Sequence, residues 1–348
     1  MHILLIRFSS MGDVVLQTAT INWLKSLYGK GLRLSFATSR EFSSLVEEHP
    51  YLDEVICLDR RQDGGWNSFY KKIKKAHQDH PFDLILDLHG TMRSYRLRWM
   101  FWRVPSLSID KRRWERWLLT KFKGTFFKNL ISPQVFGLEN QVHRLIIDIQ
   151  DIFGDQRGIE RTKNFIHSKQ GELTSLNSLP PYKDFSNYIV LAPSASFTPK
   201  RWPVDRFVEL ARKLLEHGEK VVILGGPDDN FCEVFNSIDH PELVNLQGKT
   251  SLSESMSIIS NAKLCIGNDS GMNHIAEAYG VKCLTIFGPT DPRFGFSPHG
   301  EHSRFLSKSL WCKPCSTTGS SPCFRKKLYC MEAISVDEVF NVSLEQLA

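Results

Sequence analysis

At 348 residues the chain is long enough for two domains, each with its own core. Its composition, 41% hydrophobic and 24% charged, is that of a soluble globular protein, and no apolar run approaches the roughly 20 residues that a membrane span requires. The formal net charge is +6, but placement matters more than size: eleven Lys or Arg residues lie between Arg93 and Lys128, opposed only by Asp110 and Glu115.

The first predicted strand is His2–Phe8, "HILLIRF". Arg7 interrupts that run and no small-residue cleavage site follows, so a secretory signal is not expected and the cytoplasm is. "SSMGD" comes next and leads into a helix over Val14–Tyr28, with Gly12 and Asp13 at its mouth. Asp13 has two readings: a cap accepting the helix's first N–H groups, or a base at the carboxyl edge of a parallel sheet. Strands follow at Leu32–Ala37, Glu54–Leu58 and Asp83–Leu88. The basic window 93–128 also holds Trp99, Trp102, Trp114 and Trp117. Tryptophan interleaved with cations suits an anionic membrane surface, while a solvated helix pair with core tryptophans is the alternative. No nucleic-acid motif accompanies the charge.

A helix around 143–153 and a polar linker, 154–187, separate this half from a second series of strands. Those are Tyr188–Ala192, Lys220–Leu224, Leu243–Leu246, Lys263–Gly267 and Lys282–Phe287. Helices are predicted between them at Asp205–His217, Ser251–Asn261 and Gly271–Tyr279. Short buried runs alternating with helices imply parallel sheets, hence two doubly wound α/β domains facing a central cleft. The last stretch opens with a capping box, Ser335 to Glu338, and predicts a terminal helix.

Polar loops gather at the strand ends of the second half. "APSASFTPKRWP" offers the Ser194 and Ser196 hydroxyls and the Lys200 ammonium to phosphate oxygens. "GGPDDN" puts Asp228 where an acid can bind ribose hydroxyls. In "GNDSGMNHIAEAYG", Asn268, Asp269, Ser270 and Gly271 lead into a helix whose free N–H groups suit a diphosphate. His274, one turn in, is either a donor contact or a packed histidine, and "FGPTDP" leaves Thr290 and Asp291 to face a ligand.

"HILLIRFSSMGDVVLQT", "KRWP", "GNDSGMNHIAEAYGV" and "FGPTDP" together resemble the ADP-heptose:lipopolysaccharide heptosyltransferases, glycosyltransferase family nine. The resemblance implies a GT-B-type fold: an acceptor domain over 1–165, a linker over 166–187, a nucleotide-sugar domain over 188–334, and a terminal helix, 335–348, crossing back to the first domain. It implies an inverting transfer of heptose from ADP-heptose to a lipopolysaccharide core acceptor, with Asp13 as general base and no metal required. Lys200, the serine hydroxyls and the amides around Ser270–Met272 would meet the diphosphate. Gly12, Arg60, Arg61 and Arg93 would attend the acceptor, at the inner face of the inner membrane. Another nucleotide sugar or acceptor, hydrolysis of the donor, or a non-catalytic glycolipid or sugar-nucleotide binder are the competing functions.

The cysteines divide into two sets. Cys312, Cys315, Cys323 and Cys330 have a C-x2-C-x7-C-x6-C spacing that also admits a structural zinc. Cys57, Cys232, Cys265 and Cys283 fall in or near predicted elements and read as core residues.

Overall fold

The computed structural model describes residues 1–61, 64–122, 141, 144–145, 148–149, 152 and 186–348. The expected linker, the helix around 143–153 and the end of the basic window fall wholly or largely outside these residues. The chain divides into two compact α/β units, and α5 (Arg113–Lys121) belongs to the second.

The first unit is built on a five-stranded sheet in the order β3-β2-β1-β4-β5. Its strands are β1 (His2–Ile6), β2 (Arg33–Ser39), β3 (Glu54–Leu58), β4 (Leu84–Asp87) and β5 (Ser106–Ser108), and every pairing is parallel. All five residues of β1 are buried, as a central strand covered on both faces requires. Two helices supply apolar faces to this sheet: Phe69 and Ile73 of α3 (Gly65–Asp79) and Leu97 of α4 (Met92–Met100) join Leu4, Ile6 and Ile85 in one cluster. The helix predicted over Val14–Tyr28 is two, α1 (Met11–Leu16) and α2 (Thr18–Tyr28). They meet at Gln17, where the Thr18 hydroxyl donates to the Val15 carbonyl and competes with the regular ladder.

The second unit carries six parallel strands in the order β11-β10-β9-β6-β7-β8. They are β6 (Tyr188–Ala192), β7 (Lys220–Ile223), β8 (Leu243–Asn245), β9 (Leu264–Asn268), β10 (Lys282–Phe287) and β11 (Arg304–Ser307). Between and after them come α6 (Val204–Glu216), α7 (Leu252–Ser260), α8 (Gly271–Ala278), α9 (Tyr329–Glu332) and α10 (Val336–Leu347). On α6, Phe207, Leu210, Ala211, Leu214 and Leu215 recur at helical spacing and form its buried stripe.

Two placements differ from the sequence expectation. The terminal helix α10 packs within the second unit: Val336 and Val339 share a core cluster with Phe207 and Leu210 of α6, which takes up its apolar face. Helix α5, expected in a first domain running to residue 165, instead buries Leu119 against Phe294. Arg116 donates to the Phe294 carbonyl at 3.2 Å and lies over the Phe296 ring.

Strand order decides where each unit can bind. In both sheets the order reverses beside the first strand, between β1 and β4 in one and between β6 and β9 in the other. Loops diverge at such a point and leave a crevice at the carboxyl ends of the strands.

Candidate active site

Asp13 lies just past β1, at the first of these reversals, as the third residue of α1. One of its oxygens accepts from the Ser10 N–H at 2.9 Å and from the Ser10 hydroxyl at 2.7 Å. The other pairs with Arg7 Nη2 at 2.6 Å, and the Asp13 side chain keeps 23% exposure. The two readings of this residue are therefore not exclusive: it ties the helix start and still presents a carboxylate edge. Burial pushes its carboxyl upward, but the Arg7 guanidinium and the Ser10 donors outweigh that and hold it below the ordinary carboxylate value.

Arg7 itself is buried and also donates to the Leu88 carbonyl after β4. His89, next in the chain, meets the Phe8 ring edge-on at 5.3 Å. Burial, then the charges of Arg7 and Lys111, press its pKa down to about 4, so its ring is neutral at pH 7. Beneath it, buried Asp87 accepts from the His89 and Gly90 amides at 3.0 and 2.8 Å. Sequence reasoning missed Arg7, Asp87 and His89 as site residues; an arginine inside an apolar strand and "DLH" at a strand end were the available signals. Gly12 is buried in α1, whereas Arg60, Arg61 and Arg93 are exposed, the first two beyond β3 and the third on α4.

In the second unit the strands on either side of the reversal, β6 and β9, supply the polar loops. Lys200 Nζ pairs with Asp269 Oδ2 at 2.8 Å, and the Thr290 hydroxyl donates to the same oxygen at 2.8 Å. Three loops, after β6, β9 and β10, thus converge on one carboxylate. Asn268 locks them from below. It accepts from the Trp202 N–H at 2.9 Å and donates to the Pro193 carbonyl at 2.6 Å. Ser270 begins α8 without capping it, and its buried hydroxyl has no hydrogen-bond partner among the described residues. Gly271 and Met272 follow, only half-buried, so the helix start offers unoccupied N–H groups beside the Lys200 ammonium.

The remaining expected donor contacts are less closely gathered. Ser194 approaches Gly225 of the "GGP" turn, while Ser196 is exposed. Asp228 is exposed too; its neighbour Asp229 makes the structural contacts, accepting from the Gly226 amide at 2.7 Å and pairing with Arg201. His274 is buried, with its ring near Phe296. Asp291 is engaged by Arg293 at 2.7 Å rather than left open to a ligand.

The four clustered cysteines line one small cavity, whose walls include Pro199 and Pro289. Cys315 and Cys323 direct their thiols to the carbonyls of Pro289 and Lys327, and no three His, Cys, Asp or Glu among the described residues form a metal-ready group. What the segment does instead is brace the loops above. The Cys315 amide donates to the Pro289 carbonyl at 3.1 Å, one residue before Thr290. Gly319, at φ +80°, lies so close to the Lys200 stem that a Cβ there would overlap its methylenes.

The model of glycosyltransferase family 9 (heptosyltransferase) matches residues 70–323. Lipopolysaccharide heptosyltransferase 3 of Escherichia coli (strain K12) is 35% identical over 296 residues, covering 81% of this chain and 81% of its own. Among solved structures, the glycosyltransferase family 9 protein of Veillonella parvula superposes with a TM-score of 0.73 at 18% identity, over 99% of this chain and 97% of its own. The E. coli heptosyltransferase WaaC with ADP gives 0.65 at 17% identity, over 99% and 100%. Two parallel-sheet α/β domains are the architecture shared with these structures, and the GT-B expectation holds in that respect. The chain is a glycosyl-transferring enzyme and belongs to glycosyltransferase family 9.

Proposed function

We propose that this enzyme moves a heptose from ADP-heptose to an inner-core lipopolysaccharide acceptor, in the cytoplasm at the inner face of the inner membrane. The observation that carries the reading is the junction of Lys200, Asp269 and Thr290 beside the uncapped start of α8. Such a junction suits the diphosphate of a nucleotide sugar, because a fixed cation and free N–H groups meet charge that grows as the nucleotide leaves. The names of the relatives supply the sugar and the acceptor: one is a lipopolysaccharide heptosyltransferase, and another structure holds ADP.

In the proposed reaction an acceptor hydroxyl attacks the anomeric carbon while ADP departs from the opposite face, inverting the configuration. The new C–O bond forms, the C–O bond to the diphosphate breaks, and the hydroxyl proton passes to Asp13. Its pKa, held down by Arg7 and Ser10, makes Asp13 a weak base that is nevertheless always ionised at neutral pH. Weakness is tolerable because the attacking hydroxyl turns strongly acidic as it bonds to carbon, so the transfer comes late in a single displacement. Lys200, presented by Asp269, would neutralise the diphosphate, with the Ser194, Ser196 and Ser270 hydroxyls and the Gly271 and Met272 amides as further donors. Asp228 would take the ribose, and His274 and Thr290 would line the donor site. Gly12 would leave room for the acceptor to approach the backbone, and Arg60, Arg61 and Arg93 would receive its acidic groups.

The test is a transfer assay with ADP-heptose and a lipid A–Kdo acceptor, read as ADP release and product mass. Asp13→Ala should keep donor affinity and lose about 10²–10⁴ in turnover, whereas Lys200→Ala should weaken ADP binding as well. Turnover at the wild-type level in Asp13→Ala would remove it from the base role. Transfer from a different nucleotide sugar alone would overturn the donor assignment.

A further inference from the structure

The basic, tryptophan-rich window is divided between the two units. Its second half, α5, joins the other unit, and its first half, α4, acquires a different neighbour. Helix α4 buries Ser94 and Leu97 against the first sheet, and Phe101 follows them inward. On the opposite side, Met92, Tyr95 and Trp99 recur at spacings of three and four, which aligns them in one ridge, and Trp102 follows in the turn after the helix. In chain order they are 83%, 58%, 73% and 72% exposed. Four large apolar side chains within eleven residues, all facing water, exceed the ordinary scatter of surface hydrophobics.

Cations flank the ridge. Arg103 lies over the Trp102 ring at 5.0 Å and Arg98 over Tyr95 at 6.0 Å. Arg96 reaches Tyr70 of α3 at 5.2 Å, which joins the two helices side by side. The outer face of α3 then presents Lys71, Lys72, Lys74 and Lys75, all exposed. No Asp or Glu occurs between Leu88 and Ile109, and α3 holds only Asp79.

We propose that this α3–α4 face docks the protein on an anionic lipid leaflet. Tryptophan and tyrosine prefer the headgroup level, where a ring meets acyl chains on one side and water on the other. The flanking arginines and the lysine bank match anionic headgroups, which a neutral surface or an acidic protein patch would satisfy only in part. A nucleic acid would use the cations but leave Met92, Tyr95, Trp99 and Trp102 in water. The inference rests on the proposed location at a membrane and deepens it by naming the face and the lipid chemistry that it meets; the sugar transfer itself is tested apart from it.

The experiment is co-sedimentation of the full chain with vesicles of phosphatidylcholine alone and of phosphatidylcholine with phosphatidylglycerol at 7:3, without donor or acceptor. Wild type should bind the anionic vesicles and release as salt rises, with little binding to the neutral ones. The Trp99→Ser/Trp102→Ser variant, both positions being exposed, should retain its melting temperature and ADP affinity yet lose binding by about tenfold or more. Replacing Lys71, Lys72, Lys74 and Lys75 by Gln should flatten the salt dependence. Equal sedimentation of the tryptophan variant and wild type would overturn the proposal, as would absence of vesicle binding alongside capture of single-stranded DNA. Transfer to a water-soluble, de-acylated acceptor, measured in parallel, keeps the two proposals apart: it should be the same for wild type and the tryptophan variant.

Discussion

At the scale of single residues, the pairing of Asp13 with Arg7 directs the carboxylate and, with the Ser10 donors, outweighs the burial that would raise its pKa. Because the folded pKa lies below the ordinary 3.8, Asp13 should not generate an acid limb in kcat/KM anywhere from pH 5 to 8. Arg7→Met removes the counter-charge and leaves the burial, so the limb should move upward by about one to three pH units. A limb unmoved in that variant would dissociate Arg7 from the state of Asp13. Gly319 makes a second residue-scale case. Alanine there would collide with the Lys200 methylenes and occupy a left-handed backbone position that only glycine adopts freely. Gly319→Ala should weaken ADP binding on the order of tenfold through a displaced ammonium, at a stability cost of about 1 kcal/mol. Calorimetric titration with ADP and a melting curve would separate the two effects.

At the scale of elements, α9 is short but central. Met331 is fully buried, and its thioether fills the space beside Gly288, where the loop after β10 passes close to the Pro199 carbonyl. Met331→Ala should cost about 2–5 kcal/mol in urea unfolding, with loss of ADP binding as that loop relaxes. Legibility in the sequence follows the same logic of burial. Strands β3, β6 and β10 match their predicted bounds because apolar runs mark them clearly, whereas β5 and β11 went unpredicted because three or four half-exposed residues carry no period. Helix α3 was missed too, since "KKIKK" reads as a charge run until Phe69, Ile73 and Ala76 are seen on one face. Loop motifs pointed to Asp13, Lys200, Asp269 and Thr290 as candidates, but not to Arg7 or His89, which come together only when β1 and β4 lie side by side. Which surface receives an amphipathic helix is likewise decided in three dimensions, and α5 and α10 were both assigned to the wrong unit for that reason.

At the scale of the whole molecule, acid sensitivity should originate partly in neutral histidines. The folded chain keeps His89 unprotonated down to about pH 4, and burial lowers the pKa of His2 in the same direction. An unfolded chain takes up those protons near pH 6.5, so this contribution to stability is complete above that value and is lost as pH falls toward 4. Melting temperature should therefore decline between pH 6.5 and 4.5, and His89→Phe should flatten part of that slope; an unchanged slope would exclude the residue. Distance along the chain is a poor guide to what the second unit needs in order to work. A polypeptide ending at Leu310 would retain every strand among the described residues, together with Lys200, Asp269 and Thr290. Yet the cover that Gly319 forms over the lysine's hydrocarbon leash would be gone, and the ion pair with Asp269 would be left to hold the ammonium against its regained rotamer freedom.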